Sequence, residues 1–379
     1  MISPDVFRPI VPLLRTTGVA TAILILPYPG AAQAAIWLSS VEVPTTVEYD
    51  SNPLLLTSDE KGVVRTIIAP DYTLVGTFGR DQLRFGLGLH VLRSSDTDIV
   101  SDREDPTLSL GWQRQTETGE FGLLARYNES STLTGAVQET GVVTTDGTQK
   151  LYTLAGNWRS ALSDRTTLAN ETTYNRARYD IDTLTGYEEL ATVVTLTYAW
   201  SERTQVFTDF TARRYEPVDD DFTSASNSYT PGVGVTYQFS EALSGTAHIG
   251  VNQVSDAGRR GEGGLSLRYT GERADATVNA ERTTVASAEG GFAEIDSVRG
   301  TWSYAVDELT RVGVEAAWQD SKGQTPNTLQ TYGVWARRDL SPFCDVRLSL
   351  MYKERQQDGL PDAVGTIIGL TLTYRFPDL

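Results

Sequence analysis

The segment GTIIGLTLTYRFPDL, residues 365–379, alternates apolar side chains with small or polar ones. Glycine, threonine and arginine occupy one face, and the other face carries the apolar and aromatic residues Ile368, Leu370, Leu372, Tyr374 and Phe376. This period of two predicts a β-strand with one apolar face. Such a face covers the core in a soluble sandwich, whereas in a transmembrane barrel it contacts lipid and the polar face lines a lumen.

The first 34 residues have the order of a secretory signal peptide. An apolar run, GVATAILIL at 18–26, follows two arginines, and the small residues of AAQAA precede a cleavage site after Ala34. The run is too short to span a bilayer, which disfavours the alternative of a transmembrane anchor. We therefore predict a signal peptide over 1–34 and a single exported domain over 35–379.

Composition narrows the chemistry of this domain. A formal net charge of −17 disfavours nucleic acid as a partner, since phosphates need positive charge. Cys344 is the only cysteine, which rules out an intrachain disulfide, and the two histidines, His90 and His248, lack a nucleophile motif and zinc-ligand spacing. We expect no enzyme, no cofactor and no metal. The segments DTDIVSDRED and EPVDDDF contain calcium-ligand residues, but solvated loops are the favoured interpretation.

Strand-like segments follow one another from Pro44 onward, and their connections alternate between short and long. Short polar turns such as FGRDQ, LSDRT and WSERT alternate with acidic connections such as RSSDTDIVSDREDP and EPVDDDFTSASN. This asymmetry is typical of bacterial outer-membrane barrels. We predict an all-β fold: a transmembrane antiparallel up-and-down β-barrel of about 18 strands, with 16 as the alternative. An even count places both ends of the chain on the short-turn, periplasmic side.

The two faces of the strands support lipid outside and water inside. In QLRFGLGLHV and DVRLSLMYK the apolar face carries no charge, while arginine, lysine, glycine and serine lie on the other face. Aromatic residues are expected in two girdles at the interfaces, one near the short turns and one towards the long loops. Two residues fit badly. Pro70 interrupts a strand and suggests a bulge. Alternation places Trp335 on the lumen face, which indicates either a packed lumen or a register shift.

The predicted lumen face is basic although the chain is acidic. Alternation assigns these basic residues to the pore lining: Arg84, Arg126, Arg213, Arg268, Arg299, Arg337, Arg347, Lys353 and Arg375. The acids on the same face are Asp71, Glu171, Asp209, Asp275, Glu281 and Glu315. Fixed arginines would attract anions, although pairing with carboxylates across strands is the equally weighted alternative. The long segment 130–147 is a candidate for an inward constriction.

The chain resembles a known family at several segments. VEYDSNPLLL at 47–56, the LSDRTTL and WSERTQV turns, and the final TYRF look like the β-barrel porins of proteobacteria. That group includes barrels associated with exopolysaccharide secretion and the PEP-CTERM sorting system. The resemblance implies the outer membrane of a Gram-negative bacterium, and it brings no catalytic motif. YDSNP is the most specific piece, and a strand that ends in an Asn-Pro turn is its simpler interpretation.

The expected function is an outer-membrane porin or export channel that passes anionic solutes or an acidic exopolysaccharide. A non-conducting structural or surface-interaction barrel is the alternative. The expected partners are outer-membrane lipid and the barrel assembly machinery. We assign Gly369, Tyr374 and Phe376 to the assembly signal of the closing strand, although Pro377 and two further residues follow the usual aromatic end.

Overall fold

The computed structural model describes residues 35–135, 144–218, 224–255 and 257–377, and the predicted signal peptide lies outside the described residues. The elements are β1 (Ile36–Asp50), β2 (Val63–Ile68), β3 (Asp71–Phe78), β4 (Asp81–Ser94), β5 (Arg103–Gln115), β6 (Gly119–Ser131), α1 (Thr132–Gly135), β7 (Thr148–Ala161), β8 (Thr166–Tyr179), β9 (Gly186–Ala199), β10 (Thr204–Val218), β11 (Ser226–Gln238), β12 (Leu243–Val254), β13 (Gly258–Thr270), β14 (Ala274–Ala286), β15 (Phe292–Ala305), β16 (Thr310–Lys322), β17 (Asn327–Ser341), β18 (Cys344–Gln356) and β19 (Ala363–Pro377). No helix among these residues is long and apolar enough to cross a membrane.

The strands form one antiparallel sheet that closes into a barrel. Consecutive strands pair along the chain, and β1 pairs with β19, with Val43 opposite Tyr374. Both β2 and β3 pair with β1 on one side and with β4 on the other, so they share one strand position. The barrel therefore has 18 strand positions, which confirms the predicted fold. Short turns lie at one end with the described chain termini, and long loops lie at the other.

The predicted bulge at Pro70 is wrong. Thr45 faces Ile68 and Glu42 faces Asp71, so equal numbers of residues separate these pairs on the two strands. The ladder with β4 likewise keeps its register. Proline lacks the N–H that the ladder needs, so pairing is interrupted here without an inserted residue.

An apolar belt covers the outside of the barrel. On β19, Ile368, Leu370, Leu372, Tyr374 and Phe376 are 41–52% exposed. Many aromatic residues lie on the same outer face, with pairs such as Tyr127–Tyr152 at 4.8 Å and Tyr237–Phe239 at 4.9 Å between ring centroids. Within the described strands, outward charges lie only beyond the belt. The outer surface is therefore built for contact with hydrocarbon, as the sequence predicted.

The closing strand makes the assembly signal testable. Phe376 pairs with Val41 at the end of the belt, and its ring lies 4.4 Å from that of Tyr374. We expect Phe376→Ala to lower the amount of assembled barrel more than deletion of residues 377–379 does. The reason is that Phe376 is the aromatic residue that ends the belt within the closing β1–β19 ladder. The heat-modifiable band in outer-membrane fractions measures this amount. The opposite ranking would assign the signal to the tail.

Trp335 lies inside the barrel without a register shift. Its neighbours Tyr332 and Val334 are each 51% exposed on the outer face, and Val334 stays opposite Val314. The indole lies over Gly313, where an added Cβ would come within 2.5 Å of the ring. On the neighbouring strand β18, the Arg347 guanidinium lies 4.7 Å from the centroid of the indole ring. Trp335 therefore packs in the lumen through a cation–π contact and a glycine-sized gap.

Candidate functional site

Residues 284–292, here called the inward tip, leave the barrel wall at the long-loop end. The described ladder between β13 and β14 ends at the Gly263–Arg282 pair. Beyond it, the carbonyl oxygens of the inward tip accept hydrogen bonds from the inner face of β10: Arg213 donates to Thr284, and Tyr215 donates to Ser287 at 3.4 Å. Three strands separate β10 from β14. The inward tip therefore crosses part of the lumen mouth.

Tyrosines on the inner wall receive the inward tip. Tyr187 and Tyr215 stack with ring centroids 5.4 Å apart, and Phe292 lies 5.9 Å from Tyr215. Ala286 packs with both tyrosines and Ala177 in one buried cluster. A backbone hydrogen bond of 2.6 Å from Thr185 to Ala288 adds a further tie. Apolar packing and backbone bonds together hold the inward tip across the opening.

The loop between β6 and β7 approaches the lumen from another part of the wall. Leu133 of α1 packs against a buried cluster that includes Val63 and Leu92 on inward-facing positions of β2 and β4. Arg103 fixes the far end of the loop, donating to Asp146 at 3.2 Å and to the Gly147 carbonyl at 3.0 Å. Residues 136–143, the middle of the predicted constriction, lie outside the described residues, so constriction by this loop stays a prediction.

The predicted pore-lining cations divide into two groups. All of them lie on the face opposite the apolar belt. Four contact carboxylates: Arg213 with Glu189, Lys353 with Asp50, Arg337 with Asp339 and Asp345, and Arg375 with Glu42 and Asp345. Within the described chain, no carboxylate pairs with the rest: Arg84, Arg126, Arg268, Arg299 and Arg347, the last of which lies on Trp335. We call these five the unpaired lumen arginines.

The predicted lumen acids divide in the same way. Asp275 accepts from Arg311 at 2.7 Å, and Asp71 accepts from Thr73 at 3.4 Å. In the described part of the chain, five of these acids form no ion pair: Asp71, Glu171, Asp209, Glu281 and Glu315. Sequence analysis missed Asp345, which lies on the inward face of DVRLSLMYK and joins Arg337 and Arg375 near the turn end. The same alternation that found Arg347 identifies Asp345 as inward.

YDSNP forms a clasp across the closure of the barrel. Asp50 is 1% exposed and accepts from Lys353 Nζ at 2.9 Å and from Arg65 Nη2 at 3.0 Å. The Asn52 backbone N–H donates to Asp50 Oδ1 at 3.1 Å, and its side-chain amide donates to the Val364 carbonyl at 2.9 Å. The motif therefore joins β1 to β2, β18 and β19, a role beyond that of an Asn-Pro turn.

Comparison with known proteins gives the fold. No family model and no curated protein sequence matches the chain. Among solved structures, OccK5 (OpdH) of Pseudomonas aeruginosa is 9% identical with a TM-score of 0.50, covering 90% of this chain and 98% of its own. OpdQ of the same species is 8% identical with a TM-score of 0.50, covering 90% and 99%. The outer membrane channel DcaP of Acinetobacter baumannii is 12% identical with a TM-score of 0.48, covering 90% and 97%.

At these identities the likeness concerns the fold. A closed barrel of 18 strand positions with a charge-free apolar belt matches the physical demands of a lipid bilayer, because the closed sheet leaves no free edge and the outer face is apolar. The chain is therefore a β-barrel of the Gram-negative outer membrane.

Proposed function

We propose that the protein is a porin-type channel that passes anionic solutes through the outer membrane. The observation that supports this most directly is the group of unpaired lumen arginines. Arginine stays charged in proteins, and an unpaired guanidinium away from water is costly. Arg84, Arg268 and Arg299 are exposed on the inner face, so water must reach them. An aqueous lumen is what a barrel of this strand number leaves when nothing fills it.

The charge pattern favours anions within that lumen. Fixed guanidinium groups along a water-filled path lower the electrostatic barrier for an anion and form forked hydrogen bonds with carboxylate or sulfate. The paired cations contribute less, since Asp345 and Asp50 neutralise their neighbours. The unpaired lumen arginines are spread over β4, β6, β13, β15 and β18, so they line much of the wall. The path for anions is therefore distributed around the lumen.

An acidic exopolysaccharide is the larger solute that we propose for this path. The resemblance of the VEYDSNPLLL segment and the turns to exopolysaccharide-associated barrels supports it, and carboxylated sugars are chemically suited to successive arginines. Swelling of proteoliposomes in neutral sugars and in acidic oligosaccharides tests this solute class. Faster swelling with the acidic sugars is expected. No swelling with any solute would support the structural or surface-interaction barrel instead.

Neutralising three unpaired lumen arginines is expected to change ion selectivity. In Arg84→Gln/Arg126→Gln/Arg299→Gln, the ratio of chloride to potassium permeability should fall about threefold or more, because the lumen loses three positive charges while polar side chains remain at the same positions. Reversal potentials in planar bilayers under a potassium chloride gradient measure this ratio. Arg114→Gln is the matched control, since Arg114 lies outside near Asp81. Equal ratios in the triple variant and the wild type would contradict the proposed anion path.

A further inference from the structure

The end of β13 forms an open edge in the barrel wall. Residues Gly258–Glu262, here called the free edge, pair with β12 on one side and, within the described chain, with no strand on the other, because the β13–β14 ladder ends at Gly263 and Arg282. An unpaired strand edge leaves backbone N–H and C=O groups without partners. Gly261 lies opposite Val251, which is 51% exposed on the apolar outer face. The free edge therefore borders the apolar belt, where such groups are costly.

The next residues of β14 match the free edge in length and register. Continuation of the register that pairs Gly263 with Arg282 would place Gly258 opposite Ser287, so that five residues on each strand would pair. The five residues of β14, TTVAS at 283–287, are uncharged and include strand-favouring threonine and valine. They therefore oppose no like charge to the charged side chains of the free edge. The ladder between β14 and β15 uses the other edge of β14 and can persist.

The inward tip docks across the lumen instead, and this position leaves a polar group unpaired. Ala286 packs in the buried cluster with Tyr187 and Tyr215. Thr284 is 3% exposed, and its hydroxyl has no hydrogen-bond partner among the described residues. A buried unpaired hydroxyl is unfavourable, because it loses its hydration without replacement. In the continued register Thr284 would lie on the outer side of the wall with the exposed Arg282, where water would hydrate it.

The base of the inward tip is loosely packed against the wall. A polar cavity of about 160 Å³ lies there, and its lining includes Thr230, Asn252 and Glu262 on the wall and Thr283 beside the tip. The firm contacts lie farther along the tip, such as the hydrogen bond to the Ala288 carbonyl. Movement of the tip away from the wall would therefore break contacts mainly at its far end.

We propose that residues 283–287 exchange between two positions. In the position seen in the structure, they cross the mouth and dock on the inner wall. In the second position, they extend the β13–β14 ladder along the free edge and uncover the mouth. The exchange replaces the docking contacts with backbone hydrogen bonds, removes an open sheet edge from the rim and hydrates the Thr284 hydroxyl. The inward tip is then a gate of the lumen. The gate rests on the proposed channel function, whereas the movement itself does not.

Paired cysteines in a Cys344→Ser background detect the second position. Arg259→Cys/Ala286→Cys is the reporting pair, because the continued register places these two residues opposite each other. In the docked position they lie apart, since Arg259 is exposed and donates to Gln253, whereas Ala286 is buried in the cluster with Ala177. A disulfide needs Cα atoms within about 7 Å of each other. Mild oxidation of outer-membrane fractions should yield the linked peptide, which mass spectrometry measures.

Two variants calibrate the rate of disulfide formation. Gln253→Cys/Ala286→Cys is the matched control, since Gln253 lies opposite Arg259 on β12, one strand farther from β14. Its disulfide should form about tenfold more slowly than that of the reporting pair. Tyr215→Ala, added to the reporting pair, should speed disulfide formation about threefold or more, because Ala286 loses a docking partner. Heat-modifiable mobility on gels verifies that each variant is folded.

Locking each position tests the gate. The oxidised reporting pair should raise single-channel conductance in planar bilayers about twofold, and reduction should reverse the rise. Ala177→Cys/Ala286→Cys joins two residues of the docked cluster, and its oxidation should leave conductance at the wild-type level.

Distinct results would overturn the two parts of the proposal. Disulfide formation in the reporting pair no faster than in the Gln253→Cys control, or unaffected by Tyr215→Ala, would refute the exchange. A disulfide in the reporting pair without a rise in conductance would refute the gate. If no variant conducts while the disulfide still forms, the channel proposal fails and the movement stands, so the two failures can be told apart.

Discussion

Asp50→Ala is expected to lower the free energy of unfolding by about 3–5 kcal/mol, the largest stability effect in the barrel, because it leaves a buried cation without its partner. The Lys353 ammonium group contacts the Asp50 carboxylate at 2.9 Å, and Asp50 is only 1% exposed. Arg65 retains Glu48 at 2.7 Å. Urea titration of the refolded barrel, followed by the folded band on unheated gels, measures the change.

Two further variants separate the ion pair from a general defect. Glu60→Ala removes an exposed carboxylate from the same connection and should change stability by less than about 0.5 kcal/mol. Asp50→Ala/Lys353→Met should recover much of the loss, because an apolar side chain of similar length replaces the orphaned cation. If the double variant were no more stable than Asp50→Ala, the clasp would not depend on this pair.

Removal of the inward tip is expected to produce the largest functional change. Replacing residues 284–294 with an Asn-Gly turn joins Thr283 to Ile295, which already face each other in the ladder. Because the removed segment crosses the mouth and docks on Tyr187 and Tyr215, single-channel conductance should rise by about twofold or more. Planar-bilayer recording at fixed salt measures it.

The control shortens a different loop at the same end. Replacing residues 358–361 with Asn-Gly removes a stretch whose side chains are exposed, including Leu360 at 48%. We expect unchanged conductance in this variant. Unchanged conductance in the 284–294 variant as well would mean that the narrowest part of the path lies elsewhere.

The architecture could be predicted because each strand obeys one physical constraint independently. Lipid excludes charge from the outer face, so Ile368, Leu370 and Leu372 show their environment through alternation alone. Each strand crosses the bilayer once, so short turns recur at one end of the barrel and long loops recur at the other. The bulge prediction at Pro70 was wrong because a proline in the sequence indicates a lost N–H donor and does not show whether a residue has been inserted as well.

The site was harder to predict because its contacts join strands that are distant in sequence. Asp50 and Lys353 lie 303 residues apart and meet only when β1 pairs with β19. Alternation assigned Lys353 to the lumen face but Asp50 was not among the predicted lumen acids, and the pattern could not say which cations pair and which remain available. The inward tip resembled a polar surface loop, ASAEGGF. The sequence signal for its inward position is the pair Tyr187 and Tyr215, which lie on the inner face near the loop end of their strands.

The reversal potential of the wild-type protein in a planar bilayer with a potassium chloride gradient tests the central claim most directly. The proposed lumen predicts stepwise conductance, with the reversal potential displaced towards the chloride equilibrium potential, because Arg84, Arg126, Arg268, Arg299 and Arg347 face the path without carboxylate partners in the described structure. No conductance steps, or a reversal potential displaced towards that of potassium, would contradict it.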